Sequence, residues 1–319
     1  MKIHVISTVN GIQNEGMRNV ATHISRYFEQ ENEVVYSSLR DLVKIPFRCK
    51  TSDVTFLFVR CVGKVYPIAR LCGLFTKYLN IVIVQKPDAD FIAKNNKHPL
   101  KCDIFTICKE DAEGLKPADG YSVKYFEAGI NSEKFCPVTA KKRAELKKKY
   151  GIPEDKPLVL HVGHCSAGRG LEDFIQIDEN QYERLIIASG LFENEKTVSA
   201  LKEAKIRVIS EYIEHINEYF QMADAYLFPT RSGEFVISVP LSVMEALSCG
   251  TPAIAYSSFS KMSAIQTNTE GAITFISTID EIGTALEKAV AMKSDHSLLA
   301  SPKSWEEVAQ QILNQTKVK

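Results

Sequence analysis

Residues 225–255 read AYLFPTRSGEFVISVPLSVMEALSCGTPAIA, and the order of apolar and polar segments in them indicates the class of fold. The first of these residues, Ala225–Phe228, are apolar and predict a buried strand that ends at Pro229. A polar, glycine-containing loop follows. An apolar helix is then predicted from about Pro240, because proline is sterically compatible with a first helical turn. A second apolar strand is predicted to reach Ala255, and a strand, a helix and a strand in this order indicate a parallel sheet.

The same alternation of apolar runs and helical patterns extends over most of the 319 residues. One series precedes a basic amphipathic helix predicted at Ala140–Tyr150, and a second series of similar size follows it. Two such series predict an α/β fold with two doubly wound, Rossmann-like domains, at 1–137 and 138–302, facing a cleft. Because ligands bind at the carboxyl ends of parallel strands, we expect the functional site in that cleft.

Composition and charge limit the classes of function. Lys plus Arg and Asp plus Glu both number 39, so the formal net charge is zero and no nucleic-acid partner is expected. Hydrophobic residues make up 45% of the chain, which is too many for a disordered protein. No apolar run approaches the roughly 18 residues of a transmembrane helix, and Met1–Thr8 is typical of a short strand, not of a signal peptide. The eight cysteines form no C-x-x-C pair and are expected to be reduced, as in a cytoplasmic protein.

A candidate anion-binding loop follows the predicted strand Leu158–Val162. It contains Gly163, the cationic side chains His164 and Arg169, and Gly170, near which a helix is expected to begin. Glycine lets the backbone approach a ligand closely, a helix N-terminus favours anions, and arginine offers a forked donor that fits phosphate oxygens. The alternative interpretation is an ordinary strand-to-helix turn with an exposed arginine.

A carboxylate interrupts the apolar helix that is predicted to begin near Pro240. Glu245 lies between Met244 and Ala246, and a carboxylate in such surroundings needs a partner. The functional interpretation is a carboxylate that accepts hydrogen bonds from the hydroxyl groups of a ligand. The alternative is an exposed or capped glutamate.

The most specific family signal is the segment Pro240-Leu-Ser-Val-Met-Glu-Ala-Leu-Ser-Cys-Gly-Thr-Pro252, which follows Phe228-Pro229-Thr230. It resembles the donor-sugar region of the retaining glycosyltransferases of family 4, which have the GT-B fold. Val162-Gly163-His164 and Arg169-Gly170 are similar to the Val-Gly-Arg … Lys-Gly loop of that family and keep its five-residue step between the cationic positions. Further similar stretches occur in the family's order over nearly the whole chain, at 15–18, 33–34, 128–137 and 304–306.

The resemblance implies a retaining glycosyltransferase that moves a sugar from a nucleotide-sugar to a glycan, lipid-linked or small-molecule acceptor. The UDP-, GDP- or ADP-sugar donor is then a substrate, and neither a cofactor nor a metal is expected. Basic side chains and helix ends stabilise the leaving diphosphate instead. The last helix, at 303–319, is expected to pack back towards the first domain.

The family's site residues carry over by position. Arg169 takes the place of a diphosphate-binding lysine, and His164 takes the place of an arginine. Glu245 corresponds to the second glutamate of the E-x7-E pair and is expected to hold the ribose hydroxyls. The other expected contacts are Gly16, Gly163 and the amides of Leu241, Ser242 and Val243 for the donor and its diphosphate, and the backbone around Ile209, Ser210 and Ile213 for the base.

Two positions depart from the family pattern. Ile237 stands eight residues before Glu245, where the family has its first glutamate, a ligand of the donor sugar. Glu234, three residues earlier, is the candidate for that missing catalytic carboxylate. His164 is a weaker and pH-dependent cation compared with arginine. These departures leave two alternatives open, a non-catalytic GT-B-fold partner or scaffold protein and a nucleotide-sugar epimerase or hydrolase.

The segment Asp88-Ala89-Asp90 imitates the D-x-D motif of metal-dependent glycosyltransferases. In those enzymes the motif ends a strand directly, whereas Gln85-Lys86-Pro87 intervenes here, so no metal site is expected. The loop is expected to face the cleft, which makes Lys86 and Asp88 candidates for contacts with the acceptor.

The segment Arg60–Tyr78 combines basic and apolar residues at helical spacing. A core helix with a solvated polar face is the favoured interpretation. The alternative is a helix that lies on an anionic membrane, which would place this cytoplasmic protein peripherally on the membrane face.

Overall fold

The computed structural model describes residues 1–7, 16–188 and 194–316. They divide into two compact units, of which the first comprises Met1–Gly129, Ile237–Val239 and Lys303–Lys319. The second comprises Ile130–Val236 and Pro240–Pro302. Residues 130–137, which the sequence assigned to the first domain, belong to the second unit, because Phe135 packs edge-on against Phe220 there.

The first unit contains a six-stranded parallel sheet with the strand order β2-β1-β3-β4-β5-β6. Its strands are β1 Lys2–Ile6, β2 Glu33–Ser37, β3 Val54–Phe58, β4 Leu79–Ile83, β5 Cys102–Thr106 and β6 Val123–Tyr125. Strands β3, β4 and β5 are buried at every position, as expected for a parallel sheet that is covered on both faces.

The helices described in the first unit are α1 Gly16–Glu31, α2 Lys44–Thr51, α3 Tyr66–Phe75, α4 Ala89–Lys97 and α10 Trp305–Gln315. A capping box formed by Ser304 and Glu307 sets where α10 begins. The Trp305 ring stacks on the His23 ring of α1 with centroids 5.0 Å apart. Gly129 makes this packing possible, because a Cβ at that position would lie 2.7 Å from the indole.

The second unit contains another six-stranded parallel sheet, with the order β12-β11-β10-β7-β8-β9. Its strands are β7 Leu158–Gly163, β8 Glu183–Ala188, β9 Arg207–Ile209, β10 Ala225–Phe228, β11 Ala253–Tyr256 and β12 Ile273–Ile276. This is the strand order of a doubly wound Rossmann fold. The prediction of two parallel-sheet series is therefore confirmed.

The helices described in the second unit are α5 Ala140–Tyr150, α6 Glu195–Glu203, α7 Ile216–Met222, α8 Leu241–Ser248 and α9 Ile282–Met292. Helix α5 has the predicted bounds, with the Thr139 hydroxyl accepting from the Lys142 amide at its start and Gly151 in the left-handed conformation at its end. The helix expected near Gly170 is a short 3-10 helix, Leu171–Gln176. It ends after six residues because Asp178 accepts hydrogen bonds from the backbone and side chain of Asn180 and closes a turn.

Within residues 1–7, 16–188 and 194–316, none of the helices has both the length and the apolar character to span a bilayer.

Candidate functional site

The loops that follow β7 and β10 begin side by side. Strand β7 lies beside β10, with Val159 opposite Ala225 and Leu160 opposite Tyr226. The chain winds in one direction from β7 to β9 and in the other from β10 to β12, so this is the topological switch point of the unit. The two loops that the sequence indicated as functional therefore start where a doubly wound sheet binds its ligand.

Two glycines shape the loop after β7. A Cβ at Gly163 would lie 3.0 Å from the Arg169 guanidinium and 3.0 Å from the His161 ring, so the missing side chain lets both groups lie against the end of the strand. Gly170 has a φ of 73°, and a Cβ there would lie 2.5 Å from the Pro229 carbonyl oxygen. The loop after β7 thus makes a close contact with the chain that leaves β10.

We expect Gly170→Ala to lower the free energy of unfolding by about 1–3 kcal/mol, through the left-handed conformation and the contact with Pro229. Urea denaturation followed by circular dichroism measures this loss. Gly283→Ala in α9 is the matched control, because nothing lies within 4 Å of the added Cβ. That control should be neutral or stabilising by up to about 1 kcal/mol, since alanine favours a helix. Equal unfolding curves for the two variants would contradict the close contact between Gly170 and Pro229.

Arg169 is a buried cation at the switch point, with 5% of its surface exposed. The Thr230 hydroxyl donates to the Arg169 carbonyl oxygen over 3.3 Å, which ties the two loops together. Burial lowers the pKa of the guanidinium, although arginine remains charged. Because a buried charge is stabilised by an opposite charge, Arg169 is suited to a phosphate or carboxylate ligand.

His161 lies in β7 beneath Arg169 and is fully buried. Its Nδ1 is 3.0 Å from the Leu227 carbonyl oxygen, which makes Nδ1 the protonated nitrogen of the neutral ring. Burial, together with the charge of Arg169, lowers the pKa of His161 to about 3. The His161 ring is therefore uncharged and lies beside the guanidinium. His164, in the loop, is half-buried.

The Tyr226 hydroxyl connects the end of β7 with the start of α8. It lies 3.1 Å from the Val162 carbonyl oxygen and 2.8 Å from the Ser242 Oγ. Burial raises the pKa of this phenol above its ordinary value, so it remains protonated. Nothing in the sequence singles out Tyr226, because an aromatic residue inside a buried strand is ordinarily a core residue.

The first turn of α8 follows Pro240, which has no N–H. The amides of Leu241 and Ser242 lie in this first turn, where an α-helix supplies no acceptor for them. The Val243 amide donates to the Pro240 carbonyl oxygen over 3.2 Å, and its contact with a diphosphate stays a prediction. The first-turn donors available to an anion are therefore those of Leu241 and Ser242.

Glu245 lies one turn further along α8 and is half-buried. Burial raises the pKa of its carboxyl to about 7, and the positive charge of Lys134 acts in the opposite direction. Lys134 also donates to the Glu214 carbonyl oxygen over 3.3 Å, and the Ser248 hydroxyl donates to the Phe135 carbonyl oxygen over 2.6 Å. The segment around 134–135 thus brings a cation close to the carboxylate, although 111 positions separate Lys134 from Glu245 in the sequence.

A second group of side chains, also missed from the sequence, holds the loop after β10. The Arg231 guanidinium donates to the Asp173 carboxylate over 2.9 Å and to the Tyr256 hydroxyl over 2.7 Å. It also stacks on the Tyr256 ring, 3.9 Å from the centroid. Because a Cβ at Gly170 would lie 2.8 Å from Arg231, this cluster lies directly against the Arg169 loop and is suited to positioning it.

The remaining candidates of the second unit lie at or after the carboxyl ends of β9 and β10. Glu234 is exposed in a short 3-10 helix, Gly233–Phe235, whose first turn is capped by the Ser232 hydroxyl. Ile209 ends the edge strand β9, Ser210 is exposed beyond it, and Ile213 is half-buried. Their contacts with a sugar or a base stay predictions.

Ile237, which the resemblance to family 4 aligns with a glutamate, is packed inside the first unit. It is 9% exposed, and a Cβ at Gly16 would lie 2.8 Å from its Cδ1. The next residue, Ser238, donates its amide hydrogen to the Val84 carbonyl oxygen over 2.8 Å. Gly16, the first residue of α1, therefore leaves room for the Ile237 side chain. A contact between Gly16 and a nucleotide-sugar stays a prediction.

The Asp88-Ala89-Asp90 segment has local structural contacts. Asp88 caps α4 by accepting from the Phe91 amide over 2.7 Å, and it also accepts from the Gly63 amide. Asp90 is paired with Lys94, while Lys86 is exposed. Over the residues that the structure describes, no three or more His, Cys, Asp or Glu side chains are grouped so that they could hold a metal ion. Acceptor contacts of Lys86 and Asp88 stay predictions.

Comparison with protein families gives a match over most of the second unit. The model described as "Glycosyl transferases group 1" matches residues 142–312. The chain is 25% identical over 142 residues to the alpha-galactosylglucosyldiacylglycerol synthase of Streptococcus pneumoniae. It is 26% identical over 164 residues to the putative glycosyltransferase EpsD of Bacillus subtilis. These alignments cover 41% and 48% of this chain, but only 36% and 42% of the two relatives.

Comparison with solved structures concerns the fold. The crystal structure of Anabaena Alr3699/HepE in complex with UDP-glucose aligns with a TM-score of 0.74 at 11% identity. The alignment covers 98% of this chain and 95% of that one. The predicted α/β fold with two domains of the GT-B class is thereby confirmed.

Proposed function

Because the chain belongs to the glycosyl transferases group 1 family, we propose that it is a retaining, metal-independent glycosyltransferase of family 4 that uses a nucleotide-sugar donor. The observation that carries this proposal is the placement of Arg169, the first turn of α8 and Glu245 around the switch point of the second unit. A buried cation and two helix-end amides suit a diphosphate, and a half-buried carboxylate suits neutral hydroxyl groups. The UDP-glucose bound by Anabaena HepE supports the choice of a nucleotide-sugar.

The proposed chemistry assigns a role to each group. As the bond between the sugar and the diphosphate breaks, negative charge grows on the leaving phosphate. Arg169 and the amides of Leu241 and Ser242 stabilise that charge. The acceptor hydroxyl attacks on the face that the diphosphate leaves and gives its proton to a diphosphate oxygen, so the configuration at the anomeric carbon is retained. Glu245 accepts hydrogen bonds from the ribose hydroxyls and fixes the position of the donor.

For the acceptor we propose a sugar or a lipid-linked glycan that binds mainly through the first unit, in a cytoplasmic protein. The name of the Streptococcus pneumoniae relative, alpha-galactosylglucosyldiacylglycerol synthase, supports a lipid-linked acceptor. Lys86 is exposed in the first unit after β4 and stays the candidate contact on this side.

One observation favours a second candidate function, that of a non-catalytic partner of an active glycosyltransferase. Ile237 packs against Gly16, where the family places a carboxylate that contacts the donor sugar. The two functions differ in turnover, because a non-catalytic protein can bind a nucleotide and still transfer no sugar.

Calorimetric titration of UDP, GDP and ADP, and then of their sugar conjugates, tests the donor site. We expect one nucleotide to bind, and Glu245→Ala to weaken that binding about tenfold or more, because a hydrogen bond to a charged group contributes about 1.5–3 kcal/mol. Glu203→Ala, an exposed glutamate of α6, is the control and should leave the affinity unchanged. Folded protein that binds none of the nucleotides would contradict the proposal.

A further inference from the structure

The first unit contains two buried thiols that the proposed donor site does not use. Cys49 lies in α2 and Cys72 lies in α3, and both are fully buried in the same core cluster. Helix α2 packs against α3, and the two thiol groups are hydrogen-bonded to each other. A buried cysteine ordinarily packs as a small apolar residue, so a polar contact between two of them calls for an explanation.

A chain of polar side chains leads to the Cys49 sulfur. The Cys49 Sγ is 3.6 Å from Nδ1 of His4 in β1, and Nε2 of His4 is 2.8 Å from the Ser37 hydroxyl oxygen in β2. The Arg48 guanidinium donates to the same Ser37 oxygen over 2.8 Å. The Ser37 hydroxyl can therefore donate its own hydrogen to Nε2. In the neutral form of the His4 ring the hydrogen is then on Nδ1, where it points at the Cys49 sulfur.

These contacts favour a thiolate at Cys49. A sulfur that receives hydrogen bonds holds negative charge more easily than a sulfur in an apolar pocket. The hydrogen bond with Cys72 lowers the pKa of the Cys49 thiol, burial opposes that shift, and the contact with His4 lowers the pKa further. The same hydrogen bond raises the pKa of Cys72, so Cys49 is the first of the two thiols to ionise.

A second pair of buried thiols in the same core cluster has different surroundings. The Sγ of Cys61 donates to the Val59 carbonyl oxygen over 3.7 Å. Burial raises the pKa of Cys61 to about 12, and burial together with the nearby Cys61 raises the pKa of Cys102. Both thiols therefore stay protonated, and the thiolate is the nucleophilic form of cysteine. Cys61 is a matched control for the reactivity of Cys49 inside the same protein.

Helices α2 and α3 form an outer layer over the two thiols. Their outward side chains are in solvent, since Phe47 of α2 is 71% exposed and Leu74 of α3 is 74% exposed. Helix α2 has only eight residues, and Val43 at its N-cap position has no side-chain acceptor for the first amides. A short helix without such a cap opens locally at a low cost in free energy, which gives a small oxidant access to Cys49.

We propose that Cys49 and Cys72 are a modification site, which hydrogen peroxide converts into a disulfide between α2 and α3. The Cys49 thiolate attacks one peroxide oxygen, the O–O bond breaks, and the departing hydroxide takes up the proton that Cys49 released. Cys72 then attacks the sulfur of the Cys49 sulfenic acid, the S–O bond breaks, and the second hydroxide takes the Cys72 proton. Two thiols and one peroxide thus give one disulfide and two water molecules, and two electrons pass from sulfur to oxygen.

Peptide mapping tests the proposal. The folded full-length protein is treated with hydrogen peroxide, its remaining thiols are alkylated, and it is digested with endoproteinase Lys-C without reductant. We expect a disulfide that joins the peptides Ile45–Lys50 and Val65–Lys77, each of which contains one cysteine, and that dithiothreitol cleaves. Cys49 should be oxidised about tenfold or more faster than Cys61, because a larger fraction of Cys49 is thiolate.

Variants separate the roles of the side chains. His4→Leu removes the hydrogen-bond donor and should slow disulfide formation about tenfold, whereas the amide of His4→Asn can still donate to the sulfur and should restore part of the rate. Cys72→Ser should stop the reaction at the Cys49 sulfenic acid, which dimedone traps. Cys61→Ser is the control and should form the disulfide at the wild-type rate. Circular dichroism verifies that each variant is folded.

Several results would overturn the proposal. They are a folded protein that forms no disulfide between Cys49 and Cys72, a disulfide that forms only in urea, and oxidation of Cys61 as fast as that of Cys49. Unchanged kinetics in folded His4→Leu would also contradict it. Because the mapping measures only thiols, its outcome does not depend on whether the protein binds a nucleotide, and a failure of the proposed function would leave it intact.

Discussion

Replacing Arg169 with alanine should lower kcat and kcat/KM together by about 100- to 1,000-fold, which corresponds to about 2.7–4 kcal/mol of transition-state stabilisation. The physical reason is that Arg169 is 5% exposed and its guanidinium lies against Gly163 at the end of β7, so its interaction with a diphosphate is weakly screened by water. Its position is set by Gly163 and by the Thr230 hydrogen bond, so the charge does not need to reorganise during the reaction. Steady-state assays with the donor identified by titration measure the effect.

Two variants complete the test of Arg169. Arg169→Lys keeps the charge but loses the fork of donors, so we expect an intermediate loss. Arg26→Ala removes an exposed arginine of α1 and should leave turnover within about twofold of the wild type. Circular dichroism and urea denaturation verify that each variant folds. Turnover of folded Arg169→Ala close to that of the wild type would remove Arg169 from the proposed mechanism.

Replacing Glu245 with glutamine should stabilise the folded protein above neutral pH. The folded pKa of about 7 lies above the ordinary glutamate value of 4.5, so the folded state holds this proton more tightly than the unfolded state does. The resulting contribution to stability is fully present below about pH 4.5 and is lost as the pH rises through 7. A shift of this size corresponds to at most about 3 kcal/mol, and the half-buried position reduces it to about 1–3 kcal/mol.

Urea denaturation at about pH 5 and about pH 8.5 measures this effect. The free energy of unfolding of Glu245→Gln, relative to that of the wild type, should increase by about 1–3 kcal/mol between the two pH values. Glu203→Gln in α6 is the matched control and should show no such increase. The same Glu245 variant should bind the nucleotide more weakly, because a neutral amide is a poorer acceptor for hydroxyl groups than a carboxylate. If the free energies of unfolding of Glu245→Gln and the wild type differed by the same amount at both pH values, Glu245 would be ionised in the folded protein well below neutral pH.

The sheets were predictable because their strands are short, continuous apolar runs. A strand such as Val54–Phe58 is buried on both faces, so its burial is visible in composition alone. The end of α5 was equally predictable, because Gly151 adopts the left-handed conformation that other residues avoid. Local signals of this kind depend only on neighbours in the chain.

The chemistry of the candidate site was only partly predictable. The sequence indicated Arg169 and Glu245 by their position after a strand and within a helix. It did not indicate Tyr226, which connects β7 with α8, or Arg231, which contacts residues 58 and 25 positions away in the chain. The outward direction of Phe47 and Leu74 also required the structure, because apolar residues at helical spacing are ordinarily core residues.

Three features could be predicted because each depends on local backbone preference or on a contiguous motif. They are the two series of parallel strands, the glycine loop after β7 and the residues that match a glycosyltransferase family. Three other features arise only in the folded chain: His161 is neutral beside Arg169, Lys134 lies near Glu245, and Ile237 packs on Gly16. Charge state and burial arise from groups that are distant in the chain and become neighbours when the sheets form. The free energies of these interactions therefore depend on the folded arrangement and not on any single segment.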